Sequence, residues 1–192
     1  MDYKTKTALI LPFNGVWIVG NGGRDPLTNN HNRPDAAQNQ IFAYDFKKGK
    51  KDDGKKLEDY EAFGGQVISP ADGVVLQVIN GAFDVSPGER DRSVGVGNAI
   101  VLDHQNGEYS LICHFKYNSI RVKVGKKIKQ GEVIGLCGNT GNTSEPHIHF
   151  NLQDDQLMYK ARALPAQFTK IIVDGEIQTN CEPIRGQLVS NT

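Results

Sequence analysis

Long apolar runs are missing from this sequence. No stretch approaches the roughly 20 consecutive apolar residues that a transmembrane helix requires, so no segment is expected to span a membrane. Cysteine is scarce as well. Cys113, Cys137 and Cys181 make an odd set of 3 in 192 residues, too few for a disulfide scaffold and without Cys-x-x-Cys metal spacing. Cys113 and Cys137 suit small apolar strand positions and receive no catalytic role. Neither sign of charge prevails: 22 basic and 22 acidic residues give a formal net charge of zero. That balance argues against nucleic acid or an anionic membrane as the main partner, since both select a basic surface. Tryptophan occurs once while glycine occurs 21 times, which favours a turn-rich β protein over a helical bundle.

The opening, Met1 to Thr7 followed by Ala8-Leu9-Ile10-Leu11-Pro12-Phe13, mimics a short signal peptide. Its apolar stretch is too short and no small-residue cleavage site follows, so residues 8–13 are read as a first strand. On this reading the chain is either cytoplasmic or has lost an export signal. Its length predicts one domain, with a loop region over 14–40 and a C-terminal extension over 154–192 packing on it.

Residues 14–40 are rich in Asn, Gly, Asp and Pro and read as a long loop, a class that is usually functional in compact domains. Ile41 to Phe46 alternates as a short strand interrupted by an acid, and Lys47 to Lys56 is a mixed-charge surface excursion. From Gln66 onward the pattern is that of a meander. Strands are expected over 74–79, 99–102, 109–115, 119–122, 132–135, 147–152 and 169–173, separated by glycine turns. A turn or two of helix is allowed near 157–166. The expected fold class is therefore mostly β: an antiparallel sheet of short strands carrying long functional loops.

The chemistry gathers on the histidines, of which there are 5. In Glu145-Pro146-His147-Ile148-His149-Phe150 the strand period puts His147 and His149 on one face and Ile148 and Phe150 on the other. Paired imidazoles on one strand face suit a bivalent metal, for which neutral imidazole is the commonest ligand. A hydrolytic zinc site needs about three protein ligands and one open position. His31 lies in a loop that must fold over the sheet. Asp45 interrupts an apolar strand, where an unpaired carboxylate would cost several kcal/mol and therefore seeks a cation. Taken alone it could pair with a lysine or arginine. His114 ends an apolar strand. His104 falls in the turn Asp103-His104-Gln105-Asn106-Gly107, where a solvated histidine without a site role is expected.

These segments together resemble the M23 family of zinc metallopeptidases, the lysostaphin-like enzymes that cut peptides of bacterial peptidoglycan. The resemblance covers about residues 28–153 and is carried by Asn30-His31, Tyr44-Asp45-Phe46, Ser69-Pro70-Ala71-Asp72-Gly73, Leu111-Ile112-Cys113-His114-Phe115 and the Gly138 to Phe150 segment. It implies an open β-sandwich with a groove and zinc held by His31, Asp45 and His149. It further implies His114 and His147 as the catalytic pair, a zinc endopeptidase activity, a peptidoglycan peptide as substrate, and a secreted, periplasmic or cell-wall location. One departure matters. The family's usual form spaces the first His and the Asp by four residues, which Asp35 would satisfy in His31-Asn32-Arg33-Pro34-Asp35. Asp45 is preferred because Tyr44 and Phe46 give it strand flanks, whereas Asp35 has no strand to fix its aim. Two other readings compete: an inactive M23-like module that binds peptide or regulates a partner, and a sugar-phosphotransferase phosphocarrier using His104 or His114. The substrate groove is expected between loops 14–40, 80–97 and 116–119, and the bond cut within it is left open.

Overall fold

A computed structural model describes residues 2–192. Its strands are β1 (Trp17–Asn21), β2 (Tyr44–Lys47), β3 (Gln66–Ile68), β4 (Gly73–Ile79), β5 (Ala99–Asp103), β6 (Tyr109–Cys113) and β7 (Lys127–Ile128). They continue with β8 (Val133–Leu136), β9 (Ile148–Gln153), β10 (Ala163–Leu164), β11 (Phe168–Val173), β12 (Glu176–Cys181) and β13 (Leu188–Asn191). One antiparallel sheet runs β12-β11-β13-β1-β2-β9-β6-β5-β4-β7, with β10 alongside β9, and β3 pairs with β8 in a second, two-stranded sheet. The protein is a mostly antiparallel β structure, as its alternating short runs predict.

Two strands at the centre show how pattern becomes packing. In β2, Tyr44 and Phe46 turn to one face and Asp45 to the other; in β9, Ile148, Phe150 and Leu152 oppose His149, Asn151 and Gln153. The aromatic face is closed by residues from both ends of the chain. Phe13 packs at 4.8 Å on Trp17 and 5.0 Å on Phe46, and Phe168 lies 5.4 Å from Tyr44. Each such side chain, buried outright, contributes roughly 1.5–3 kcal/mol of transfer free energy. The histidine-bearing face has its own smaller cluster of Val96, Ala99, Val101, Leu111, Cys113 and Met158. Both β2 and β9 are thus buried on two sides.

Several expectations need correcting. Residues 8–13 form no regular strand, although Leu9, Leu11 and Phe13 are fully buried. Their backbone groups go to scattered partners: Leu9 bridges Phe168, Ile10 donates to the Pro70 carbonyl and Leu11 to Asn191 Oδ1, while Pro12 has no donor. The expected loop 14–40 contains β1, a short run hidden between Asn14-Gly15 and Asn21-Gly22-Gly23. Residues 119–122 join no ladder, and 157–166 holds a turn and β10 rather than helix. Beyond residue 173, β12 and β13 were not anticipated, because β12 is exposed along its length and carries no buried stripe. β13 pairs with both β1 and β11, so the chain's end extends the same sheet that carries the histidines.

Candidate active site

Strand register assembles the site. Asn21 lies opposite Asp45, Asp45 opposite His149, and His149 opposite Cys113, across β1, β2, β9 and β6. Directly opposed residues project to the same face, so this row alone puts an amide, a carboxylate, an imidazole and a thiol side by side. His147 precedes β9 by one residue and reaches the same face, its Nε2 3.2 Å from Asp45 Oδ1.

His114 arrives differently. As the residue after Cys113 on a regular strand it would point the other way. Instead its φ is 63°, in the left-handed region that costs an L-residue about 1–2 kcal/mol. That twist returns its ring to the site, 4.8 Å from the ring of His147 and 5.7 Å from that of His149. The surroundings hold it there. His114 Nδ1 lies 2.7 Å from the Thr140 carbonyl, and the Gly138 amide donates to the His114 carbonyl at 2.9 Å. Gly97 is what allows Thr140 so close: a Cβ there would fall 2.2 Å from the Thr140 oxygen, at a φ of +64°.

His31 comes from the loop, held by the fully buried Asn29. The Asn29 amide donates to the Gly23 and Ala43 carbonyls, at 2.9 and 3.1 Å, and its oxygen accepts the His31 amide at 3.0 Å. This stitches the loop to the residue just before β2 and aims His31 Nε2 at Asp45 Oδ2, 2.9 Å away. Asp45 Oδ1 is 2.9 Å from His149 Nδ1, and Oδ2 accepts from Asn21 Nδ2 at 2.6 Å. Asn21 is in turn held by Arg185, which donates to its Oδ1 at 2.6 Å.

The structure therefore brings His31, Asp45, His114, His147 and His149 together and leaves the other two candidates outside. Asp35 is exposed in a turn, whereas Asp45 is nine-tenths buried among imidazoles. His104 is far from the solvated residue expected. It is half-buried, with Nδ1 2.8 Å from the Asp72 carbonyl and Nε2 2.7 Å from Ser110 Oγ, so it braces a turn with both ring nitrogens. Sequence reasoning missed Asn21, Asn29, Thr140 and Arg185, which act through hydrogen bonds rather than through any local motif. The groove, about 550 Å³, is lined from loops 14–40 and 80–97 as expected, but not from 116–119. Tyr117 stacks on Phe83 at 4.4 Å instead, and residues 142–145 with Tyr159 form that wall.

The members of the cluster shift one another's ionisation. Burial alone would raise the Asp45 pKa, but His31, His147 and His149 overcome it and hold the carboxyl well below its usual range. Burial lowers His114 well below the ordinary imidazole value, with His147 and His149 adding to the effect. His149 is lowered by burial against the pull of Asp45. For His114 and His147, Nδ1 faces a backbone carbonyl, Thr140 in one case and Glu145 at 2.9 Å in the other. A carbonyl only accepts, so each Nδ1 carries a proton and Nε2 is the ring nitrogen left for other partners. His147 Nε2 faces the Asp45 carboxylate at 3.2 Å, a contact that a proton or a metal cation between them would satisfy.

Two groups could hold such a cation, His31–Asp45–His149 and His114–His147–His149, each with its donor atoms within 4.8 Å of one another. The first suits zinc in chemistry and spacing. Tetrahedral bonds of about 2.0–2.1 Å to N and O imply ligand–ligand separations of about 3.3 Å, close to the 2.9 Å contacts that Asp45 makes to His31 and His149. His149 Nε2 is a buried nitrogen with no hydrogen-bond partner among the described residues, an unsatisfied polar atom inside the cluster.

Fold and site together define a β-sheet protein with a histidine–aspartate cluster that could hold a metal ion, set in a loop-lined groove. The chain belongs to peptidase family M23, whose profile matches residues 54–160. That span contains His114, His147 and His149 but not His31 or Asp45, whose place in the cluster rests on the geometry. Among curated relatives, 89 residues are 34% identical to peptidoglycan DD-endopeptidase ShyA of Vibrio cholerae, covering 46% of this chain and 17% of that protein. A stretch of 76 residues is 32% identical to glycyl-glycine endopeptidase ALE-1 of Staphylococcus capitis, covering 40% of this chain and 21% of that protein. The chain thus matches only about a fifth of these relatives' length. In fold it is similar to the deep-sea M23 metalloprotease pseudoalterin, with a TM-score of 0.53 at 14% identity over 94% of this chain and 96% of that one.

Proposed function

We propose that this protein is a zinc-dependent endopeptidase that hydrolyses peptide bonds of bacterial peptidoglycan. The observation that carries the reading is the buried Asp45 carboxylate ringed by His31, His147 and His149, with His114 turned into the same cluster at a conformational cost. Strain of that kind persists where surrounding structure over-determines it, and it concentrates at functional sites. His31, Asp45 and His149 would hold the metal. Zinc, when bound, supplies Lewis-acid polarisation of a scissile carbonyl and lowers the pKa of water. His114 and His147 belong to the same cluster, their Nδ1 protons fixed on backbone carbonyls. Their Nε2 atoms can take a proton from attacking water, stabilise negative charge on the carbonyl oxygen once protonated, and return the proton to the leaving amine. Thr143, 3.1 Å from His147 Nδ1, helps hold that ring's tautomer.

The relatives named as peptidoglycan DD-endopeptidase and glycyl-glycine endopeptidase support a cell-wall peptide as substrate. A phosphocarrier role is disfavoured: His104 has both ring nitrogens engaged, and such a role leaves the Asp45 cluster without a purpose. Digestion of purified peptidoglycan with mass spectrometry of the released fragments, alongside metal analysis, tests the reading. Cleavage that a chelator abolishes and zinc restores is expected. Intact peptidoglycan after incubation with the zinc-loaded protein would overturn it.

A further inference from the structure

The formal charges lining the groove are unequally committed. Asp45 lies beneath the imidazoles and shows almost nothing to solvent. Lys47 and Glu145, which both line the groove, are joined in an ion pair. Arg90 is the remaining charged side chain of the lining. It is exposed and makes no ion pair or side-chain hydrogen bond among the described residues. Its acidic neighbour Asp91 is occupied elsewhere, its Oδ1 accepting the Ser93 amide at 3.0 Å and the Ser93 hydroxyl at 2.5 Å. The backbone around Arg90 is nonetheless fixed to the neighbouring segment 141–144, part of which also lines the groove. The Gly88 amide donates to the Ser144 carbonyl at 2.7 Å and the Asp91 amide to the Gly141 carbonyl at 3.0 Å. An uncommitted guanidinium is therefore held on a braced loop at the edge of the same groove that carries the histidines.

We infer that Arg90 is a carboxylate-binding subsite, and that the peptide this groove takes bears a free carboxylate near the bond to be cut. The guanidinium fork matches a carboxylate bidentately and stays charged at any working pH. An acidic stem-type peptide offers that partner, whereas an uncharged oligoglycine bridge offers nothing to it. The inference rests on the peptidase reading for the location of the scissile bond, but the contact itself is a binding event and can be measured without cleavage.

The test uses monomeric muropeptides, single uncross-linked stems, in native form and after carbodiimide amidation of their carboxylates. Binding is measured by calorimetry to the intact wild-type protein, to Arg90→Gln and to Arg90→Lys, and cleavage is followed separately on cross-linked dimers. Native stems should bind the wild type roughly tenfold more tightly than amidated ones, the scale of an exposed charge-assisted contact. The preference should vanish in Arg90→Gln, survive in part in Arg90→Lys, and shrink as salt is raised. Equal binding of native and amidated stems by the wild type, a preference undiminished in Arg90→Gln, no binding of either, or a pentaglycine peptide bound as tightly as the native stem would each overturn the inference. A clear preference without cleavage of dimers would leave the carboxylate subsite standing and sink the peptidase reading. Cleavage without any preference would do the reverse.

Discussion

Asp45 and Glu108 are both carboxylates buried in this protein, at different places on one sheet, and their surroundings differ in kind. Glu108 is met by neutral donors: the Tyr3 hydroxyl at 2.6 Å, the Lys6 and Thr7 amides at 2.8 Å each, and the Thr7 hydroxyl at 2.5 Å. Every lone-pair direction is answered by a group with no charge to give up. Asp45 is met by the imidazoles of His31, His147 and His149, a side-chain type that can carry a proton or bind a metal, together with one amide from Asn21. A fully satisfied network of neutral donors makes a clamp, here one that ties the N-terminal segment to the start of β6. Partners that can give up protons and take a metal make a site instead.

That contrast should be easiest to break at Asp45 itself. Asp45→Asn keeps the shape and removes the charge, so zinc affinity should fall by about 100-fold or more, beyond the usual loss from an outer-shell change. Thermal stability should change little. Glu108→Gln should do the opposite, leaving zinc unaltered. Competition with a chromophoric chelator and a thermal melt on each variant decide it; a matching loss of zinc in both would erase the distinction between clamp and site. Next in size, His114→Ala and His147→Ala should retain zinc and lose roughly 100-fold in turnover on peptidoglycan, the scale of a positioned proton-transfer or oxyanion group. Loss of the metal in either variant would move that histidine from the catalytic pair into the ligand set.

The two carboxylates also differ in how visible they are in the sequence. Asp45 stands out because Tyr44 and Phe46 flank it with core residues, and a charge inside an apolar alternation demands a partner. His147 and His149 stand out by the same period. Glu108 follows Asn106-Gly107, where an acid reads as part of a surface turn, and its partners are about 100 residues away near the N-terminus. Asn21 and Arg185 are equally silent, since they are 164 residues apart and meet only because β13 lies beside β1. The meander could be read because its partners are neighbours in sequence. The closure of the sheet by β1, β12 and β13 could not, because it depends on long-range pairing of short or exposed strands. His114 stands out in the sequence at the end of an apolar run, but the left-handed twist that turns its ring into the cluster does not.

Asn21 sharpens the comparison from the side of the site. Its amide is the one non-titrating side-chain donor on Asp45 among the described residues, and it is aimed by Arg185. Asn21→Ala should weaken zinc binding by roughly tenfold, the lower end of outer-shell effects, with the fold retained. Zinc affinity measured as for Asp45→Asn checks this; an unchanged affinity would show that the imidazoles alone orient the carboxylate.

The smallest expected effect belongs to the clamp and is best seen against pH. Burial would raise the Glu108 pKa, but the backbone amides of Lys6 and Thr7 and the hydroxyls of Thr7 and Tyr3 outweigh it, and the folded value is lowered. A carboxylate with a depressed folded pKa contributes stability that is fully present above its unfolded value, near 4.3, and is lost as pH falls through the folded value. Glu108→Gln leaves one oxygen for two of the four donors and turns an amide NH2 toward the other two. It should therefore cost about 1–3 kcal/mol near neutral pH, or roughly 2–12 °C in Tm for a chain of this size. In acid the wild-type carboxylate takes up its proton and loses the same advantage, so the gap between the two melts should narrow progressively as pH falls below about 4.3. Melting curves of the pair from pH 7 down to pH 3 are the measurement. A gap that stays constant across that range would mean that Glu108 stabilises by packing rather than by charge, and the clamp would then owe nothing to its ionisation.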